Sequence, residues 1–97
     1  TFAPIGPCIT TIDEIEDPNR LRVQFWNNGD LYHDYVTDDM EHRVPELIEF
    51  ASAFYTLNPG DVIMTGTPEG VSPIQPGDNI LATIENIGSM EVKVRAA

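Results

Sequence analysis

Alternating apolar and polar positions predict a β-hairpin in the first half of the chain. The apolar positions 21, 23 and 25 are separated by Arg22 and Gln24, the period of two expected for a strand with one apolar face. Asn28-Gly29 follows, and this dipeptide suits a type I′ turn because both central positions need a positive φ. We therefore expect residues 31–36 to return antiparallel, with Trp26 and Tyr32 pairing across the strands.

Apolar residues recurring with the period of an α-helix predict one helix, over residues 44–55. Pro45 is tolerated in the first turn, where its missing N–H has no partner inside the helix, and Glu46 complements the helix dipole. The apolar residues recur at helical spacing and form one stripe: Val44, Leu47, Ile48, Ala51, Phe54 and Tyr55.

The remaining apolar runs predict further strands. Residues 8–12 are rich in β-branched side chains, and residues 62–64 are apolar without alternation, as in a strand buried on both faces. Residues 79–85 and 89–95 form a last pair of strands around Asn86-Ile87-Gly88. Two Pro-Gly-Asp turns, at 59–61 and 76–78, separate the predicted elements in the second half of the chain. The fold class predicted is mainly β (α+β), a single domain with a predominantly antiparallel sheet and one amphipathic helix.

The charge narrows the classes of partner. The 97 residues include 16 acidic and 5 basic side chains, for a net charge of −11, which disfavours nucleic acids and anionic membrane surfaces. No apolar run approaches the roughly 20 residues that span a bilayer, and no signal peptide is recognisable.

Cys8, the one cysteine, is expected to be a small buried residue in a reducing, cytoplasmic compartment. Since Thr1 is not a start methionine, the chain reads as a piece that begins in mid-pattern.

The stretch 59–71 is the strongest candidate for a ligand site. After the predicted strand 62–64 it presents small residues, Thr65-Gly66-Thr67, that bring N–H groups and hydroxyls close to a ligand. These donors could hold a carboxylate or an oxyanion. The alternative is a rigid turn without a ligand, because Gly and Pro mark turns more often than sites.

Three other kinds of site are weighed and disfavoured. A phosphate loop at 66–70 lacks the Gly-Lys-Ser/Thr ending, and Glu69 would repel an anion. Acid–base work by His33 or His42 has no nucleophile nearby in the sequence. A cation cluster could form from Asp34, Asp38, Asp39, Glu41 and His42, but charge runs are usually solvated surface. An anionic ligand would find no basic residue in the loop, because the five of the chain lie elsewhere: Arg20, Arg22, Arg43, Lys93 and Arg95.

Taken together, these segments resemble the C-terminal half of the fumarylacetoacetate hydrolase family. The resemblance runs through TFAPIGP at 1–7, Asp17-Pro18 with LRVQFWNNGDL, VPELIEFAS at 44–52 and above all TLNPGDVIMTGTPEGV at 56–71. Thr37 with Asp39-Met40 also belongs to it, and the final PGD with Ile87-Gly88 completes it. The domain predicted for 1–97 is the C-terminal portion of a catalytic domain of this family, with the family's mixed β-sheet.

The resemblance implies a dimeric enzyme of aromatic-compound catabolism that acts on 2-oxo or 2-hydroxy-dienoic diacids through a metal-bound enolate. Family members hold a divalent cation, typically Mg²⁺ and otherwise Mn²⁺ or Ca²⁺, with a Glu-x-Glu motif and an aspartate. A lysine and a histidine–glutamate pair assist. All of these precede the segment that matches Thr1, so no catalytic residue and no metal ligand carries over to this chain.

Only the Gly-Thr pair carries over, onto Gly66 and Thr67, as donors to a substrate carboxylate or oxyanion. The resemblance thus predicts that the chain supplies one wall of a site completed by an N-terminal half. Hydrolysis, isomerisation and decarboxylation remain open as the reaction. The competing interpretation is a non-catalytic β-domain, or an assembly half without activity of its own.

Overall fold

A computed structural model describes residues 3–96 and shows a four-stranded antiparallel sheet with one helix. In chain order the elements are β1 (Arg22–Asn27), β2 (Asp30–Val36), α1 (Val44–Phe54), β3 (Asn79–Ile84) and β4 (Gly88–Lys93). The strand order is β2-β1-β3-β4, and every neighbouring pair is antiparallel. The predicted class, mainly β with one helix, is confirmed.

The first hairpin forms for the reason that its turn residues predict. Asn28 and Gly29 have φ values of 52° and 88°, the left-handed conformation that a type I′ turn requires. The predicted pairing of Trp26 with Tyr32 is wrong, because the register shifts after Phe25, which pairs with His33. Trp26 therefore pairs with Leu31, and Tyr32 is the extra residue of a β-bulge.

The register gives the sheet one apolar face. Val23 and Phe25 of β1 lie opposite Ile84 and Ala82 of β3, and Met90 of β4 continues the same row.

The opposite face, here called the polar face, also carries an apolar row of Trp26, Leu31 and Leu81. On this polar face, the Arg22 guanidinium donates two hydrogen bonds to the Asp34 carboxylate at 2.7 and 2.6 Å. This ion pair lowers the pKa of Asp34 below its ordinary value.

Helix α1 begins at Val44 and ends one residue before the predicted limit, with Tyr55 as its C-cap. The Glu46 carboxylate accepts a hydrogen bond from the Arg43 N–H at 2.8 Å. The side chain of Asn19, which is buried, accepts a longer bond from the Val44 N–H at 3.3 Å. The start of the helix is thereby tied to the segment that precedes β1.

Two of the predicted strands do not form in the described structure, so these two predictions are wrong. Residues 8–12 pair with no other strand of the described structure, and a short 3₁₀ turn begins at Ile12. Residues 62–64, predicted to be buried on both faces, are exposed and lie outside the sheet. Cys8, predicted to be buried, is exposed. The physical reason is shared: an apolar run becomes a buried strand only when another strand pairs with it and another layer covers it.

Candidate functional site

A cleft of about 510 Å³ lies between the apolar face of the sheet and the Gly-Thr loop. Val23, Tyr35 and Ile84 line it from the sheet, and Leu47 of α1 lines it from the helix. The opposite wall consists of Thr65, Gly66, Thr67 and Pro68. The predicted donors Gly66 and Thr67 thus border this open cleft, and both residues are exposed to solvent.

The loop owes its shape to glycine at two positions. Gly66 and Gly70 have φ values of 88° and 95°, which disfavour other residues. Gly70 also lies against His33, since a Cβ atom built on it would be 3.6 Å from the His33 Cε1. The end of the loop therefore lies beside His33 of β2, and its beginning borders the cleft.

The backbone of the loop is available to a ligand. Among residues 3–96, no hydrogen bond joins the N–H groups or the side chains of Gly66 and Thr67 to another protein group. Two successive N–H groups and a hydroxyl, all without protein acceptors, can donate to the oxygens of one carboxylate. Their role in binding a substrate stays a prediction.

The third wall of the cleft comes from the connection between β2 and α1. This connection opens with a 3₁₀ turn, Thr37–Asp39, and brings Asp39, Glu41 and His42 to the cleft. The Thr37 hydroxyl fixes it, because the oxygen accepts from the Leu21 N–H at 3.0 Å and the hydroxyl donates to the Pro18 carbonyl at 2.8 Å. Thr37 therefore joins the residues before β1 to the end of β2.

Tyr35 is a cleft residue that sequence reasoning missed. Burial raises the pKa of its phenol above the ordinary value of 10.0, so the hydroxyl is protonated at neutral pH. Such a hydroxyl can donate a hydrogen bond. The sequence of β2 does not alternate clearly, and only the register, in which Tyr35 pairs with Val23, places Tyr35 on the apolar face.

The acidic cluster predicted as one alternative does not assemble. Asp34 is engaged by Arg22 on the polar face of the sheet, whereas Asp39, Glu41 and His42 lie at the cleft. Within residues 3–96, no three side chains of His, Cys, Asp or Glu come close enough to hold a metal ion. The described residues thus do not fit a metal centre by themselves.

Charge at the cleft disfavours an anion unless a cation is supplied from elsewhere. In the described part of the chain, its lining includes Asp39 and Glu41 but no lysine or arginine. A diacid substrate would therefore need a positive charge that these residues do not provide. The two histidines are separated, with His42 at the cleft and His33 beside Phe25, where the ring centroids are 5.9 Å apart.

The sequence profile described as "Fumarylacetoacetate (FAA) hydrolase C-terminal" matches residues 1–95. The chain belongs to the fumarylacetoacetate hydrolase family. The resemblance seen in the Gly-Thr loop and its flanking segments is therefore confirmed.

Individual members of the fumarylacetoacetate hydrolase family agree with this assignment. The chain is 48% identical over 96 residues to maleylpyruvate hydrolase of Aquipseudomonas alcaligenes, covering 99% of this chain and 33% of that protein. It is 40% identical over 89 residues to the 4-hydroxyphenylacetate degradation bifunctional isomerase/decarboxylase of Salmonella dublin, covering 92% of this chain and 21% of that protein.

A solved structure of the family shares the fold. Maleylpyruvate hydrolase from Sphingobium sp. SYK-6, in complex with manganese(II) ion and pyruvate, superposes with a TM-score of 0.92 at 47% identity. The match covers 95% of this chain and 35% of that chain. This chain thus corresponds to about a third of that enzyme's length.

No described helix is long and apolar enough to cross a membrane.

Proposed function

We propose that the complete protein is a metal-dependent enzyme that acts on acylpyruvates or related 2-oxo diacids, and that this chain supplies one wall of its active site. The observation that carries the proposal is the placement of Gly66 and Thr67 on a cleft beside the apolar sheet face, in a chain whose family includes maleylpyruvate hydrolase. A hydrolase of this class adds water across a C–C bond, releasing pyruvate and a carboxylic acid.

The residues of this chain would bind and orient the substrate. The N–H groups of Gly66 and Thr67 and the Thr67 hydroxyl would hold a carboxylate or oxyanion, while the sheet face would exclude water from the carbon chain. The Tyr35 hydroxyl, protonated at neutral pH, offers one further donor in the same cleft.

A divalent cation, manganese or magnesium, is part of the proposal. The related hydrolase contains manganese and pyruvate, and the cleft of this chain lacks a cationic residue among those described. Within residues 3–96 no three side chains of His, Cys, Asp or Glu lie close enough to form a metal site by themselves, which supports ligands from outside these residues. We place them in an N-terminal half of the same enzyme, which we propose to be a cytoplasmic homodimer active in aromatic-compound catabolism.

Two kinds of reaction are candidates because relatives of both kinds match the chain. Hydrolysis is favoured by the higher identity to maleylpyruvate hydrolase, 48% against 40% for the isomerase/decarboxylase. The products separate all three reactions: a hydrolase releases pyruvate, a decarboxylase releases carbon dioxide, and an isomerase releases neither.

The test is turnover by the protein expressed from its complete coding sequence. We expect it to consume maleylpyruvate with release of pyruvate, to lose activity after treatment with EDTA and dialysis, and to recover activity with Mn²⁺ or Mg²⁺. Activity that persists without metal, or no turnover of any acylpyruvate or hydroxymuconate-type diacid, would contradict the proposal. Residues 1–97 expressed alone serve as the control and should be inactive; turnover by them would disprove the need for ligands from elsewhere.

A further inference from the structure

The turn between β1 and β2 contains a chemically labile dipeptide, Asn28-Gly29. Of the six asparagines of the chain, only Asn28 precedes a glycine. Glycine has no side chain to shield its backbone nitrogen or to restrict its backbone, so this nitrogen reaches the preceding carboxamide more readily than that of a bulkier residue. Asn28 and Gly29 are both exposed, and water therefore has access to the turn.

The reaction open to such a pair is deamidation through a cyclic imide. The Gly29 nitrogen loses its proton and attacks Cγ of Asn28, so that a new N–Cγ bond forms. The Cγ–Nδ2 bond then breaks, and the former amide nitrogen takes up a proton and leaves as ammonia. A water molecule opens the imide at either carbonyl, which leaves an aspartate or an isoaspartate at position 28. Water is the co-reactant, and nothing is oxidised or reduced.

In the folded protein, the Asn28 carboxamide is held at both of its ends. Its Nδ2 donates to the Asp78 carboxylate at 2.8 Å, and its Oδ1 accepts from the Asn79 N–H at 2.9 Å. The Asn28 N–H also donates to the Asn79 carbonyl at 2.9 Å, so the backbone is fixed against the same segment. Closure of the imide makes Cγ tetrahedral and expels Nδ2, which breaks the bond to Asp78 and displaces Oδ1 from Asn79. We call the two side-chain bonds the Asn28 clamp.

The acceptor of the clamp, Asp78, is itself held in place. Its carboxylate accepts from the Gln75 N–H at 2.7 Å and from Nδ2 of the buried Asn27 at 3.3 Å. A carboxylate at position 28 would have no hydrogen to donate to Asp78, and the two negative charges would repel each other. The clamp thus opposes deamidation, and deamidation destroys the clamp.

We propose that Asn28 is a site of spontaneous deamidation, that its clamp to Asp78 and Asn79 slows the reaction in the folded protein, and that the product releases the β1–β2 turn from the start of β3. The rate is then set by how often the clamp opens, and not by the Asn-Gly sequence alone. The inference does not rest on the proposed catalytic activity, because this turn lies at the opposite end of β1 from Val23, which lines the cleft.

Peptide mapping by mass spectrometry tests the clamp in the protein expressed from its complete coding sequence and incubated at mildly alkaline pH. Asp78→Ala removes the acceptor of Nδ2 and should raise the rate at which Asn28 becomes aspartate and isoaspartate roughly fivefold or more. Asp78→Asn keeps an acceptor oxygen and should stay within about twofold of the wild type. Thr37→Val, a substitution away from the turn, controls for global opening and should leave the rate unchanged.

The same measurement can contradict the proposal in three ways. Equal rates in the wild type and Asp78→Ala would overturn it, and so would a rate raised as much by Thr37→Val as by Asp78→Ala. Wild-type protein unfolded in urea gives the rate without the clamp and needs no substitution. Conversion of Asn28 as fast in the folded protein as in the unfolded one would also overturn the proposal.

Two substitutions at position 28 test the consequence of the reaction. Asn28→Gly suits the φ of 52° and removes the carboxamide, whereas Asn28→Asp adds the charge that deamidation produces. The aspartate variant should melt at a lower temperature than the glycine variant, and equal melting would overturn the release of the turn by repulsion. These measurements use no substrate, so a protein inactive on acylpyruvates would contradict the proposed function and leave this inference standing.

Discussion

The four-stranded sheet and the segment between α1 and β3 have comparable apolar sequences and very different organisation. Each strand of the sheet finds a partner within this chain, across a short turn or through the β1–β3 pairing. Between Thr56 and Gln75, the described backbone hydrogen bond is that of one turn, from the Asp61 N–H to the Asn58 carbonyl at 3.0 Å. The comparison teaches that an apolar run becomes a strand of the sheet only where a partner strand is available.

The largest effect on stability is expected where the sheet is tied to its flanking segments. Thr37→Val keeps the shape of the side chain but leaves the Leu21 N–H and the Pro18 carbonyl without their bonds. Unmade hydrogen bonds of this kind cost on the order of 2 kcal/mol in total. Urea denaturation should show that loss, and Thr37→Ser, which retains the hydroxyl, should lose much less. Equal stability of the Val and Ser variants would show that the hydroxyl does not anchor the sheet.

Alanine substitutions at two glycines with the same φ, one in a turn of the sheet and one in the Gly-Thr loop, can distinguish the roles of these two regions. Gly29 and Gly66 share a φ of 88°, and neither has an atom within 4 Å of an added Cβ. Alanine at either position therefore brings a strain of about 1–2 kcal/mol and no clash. Gly29 lies in the β1–β2 turn, at the opposite ends of those strands from Val23 and Tyr35, which line the cleft.

The two alanine variants should accordingly differ in what they lose. Gly29→Ala should lower the thermal midpoint and leave kcat/KM within twofold. Gly66→Ala should lower kcat/KM about tenfold, because the loop would relieve the strain by moving the Gly66 and Thr67 donors away from the ligand, and a tenfold loss corresponds to about 1.4 kcal/mol of transition-state binding. Steady-state kinetics and thermal melts of both variants check this. A loss of activity of the same size in both would remove the distinction between the sheet and the loop.

The smallest expected effect is on the pH dependence of stability at the second Pro-Gly-Asp turn. The Gln75 N–H donates to the Asp78 carboxylate at 2.7 Å, and the Asn28 side chain donates at 2.8 Å, so the pKa of Asp78 lies below its ordinary value of 3.8. A lowered pKa in the folded state means that the carboxylate stabilises the fold at neutral pH. This stabilisation is lost as the pH falls below about 4 through the folded-state value.

Thermal melts between pH 7 and pH 3 measure this contribution. Asp78→Asn should melt at a lower temperature than the wild type at pH 7 and should show a shallower decline toward pH 3. The same steepness in both proteins would mean that the turn carboxylate contributes nothing to acid sensitivity.

Local chemistry made much of the fold predictable from the sequence. The Asn28-Gly29 turn, the helical stripe from Val44 and the closing β3–β4 pair depend on neighbours in the chain, and each forms within two residues of its predicted limits. The register of β1 and β2 was missed because a bulge at Tyr32 shifts the pairing after Phe25, and the turn residues alone do not specify a bulge. The strands predicted at 8–12 and 62–64 failed because no partner strand for either lies within the described residues.

The candidate site was predictable only in part. Gly66 and Thr67 stand out by type and resemblance, and they do border the cleft. The cleft residues Asp39, Glu41 and His42 become neighbours of the loop only through the path of the β2–α1 connection, which no periodicity reveals. A metal centre cannot be assembled from the described residues, so its ligands could be inferred only from the family.

The central claim is that the Gly66-Thr67 pair holds the substrate. Its most direct test is to measure kcat/KM of the Thr67→Ala and Thr67→Ser variants with maleylpyruvate and manganese. Both variants are made in the protein expressed from its complete coding sequence. Loss of a donor that acts in the transition state should reduce kcat/KM on the order of 100-fold in the alanine variant. The serine variant, which keeps the hydroxyl, should stay within a few-fold of the wild type. An alanine variant within twofold of the wild type would contradict the claim.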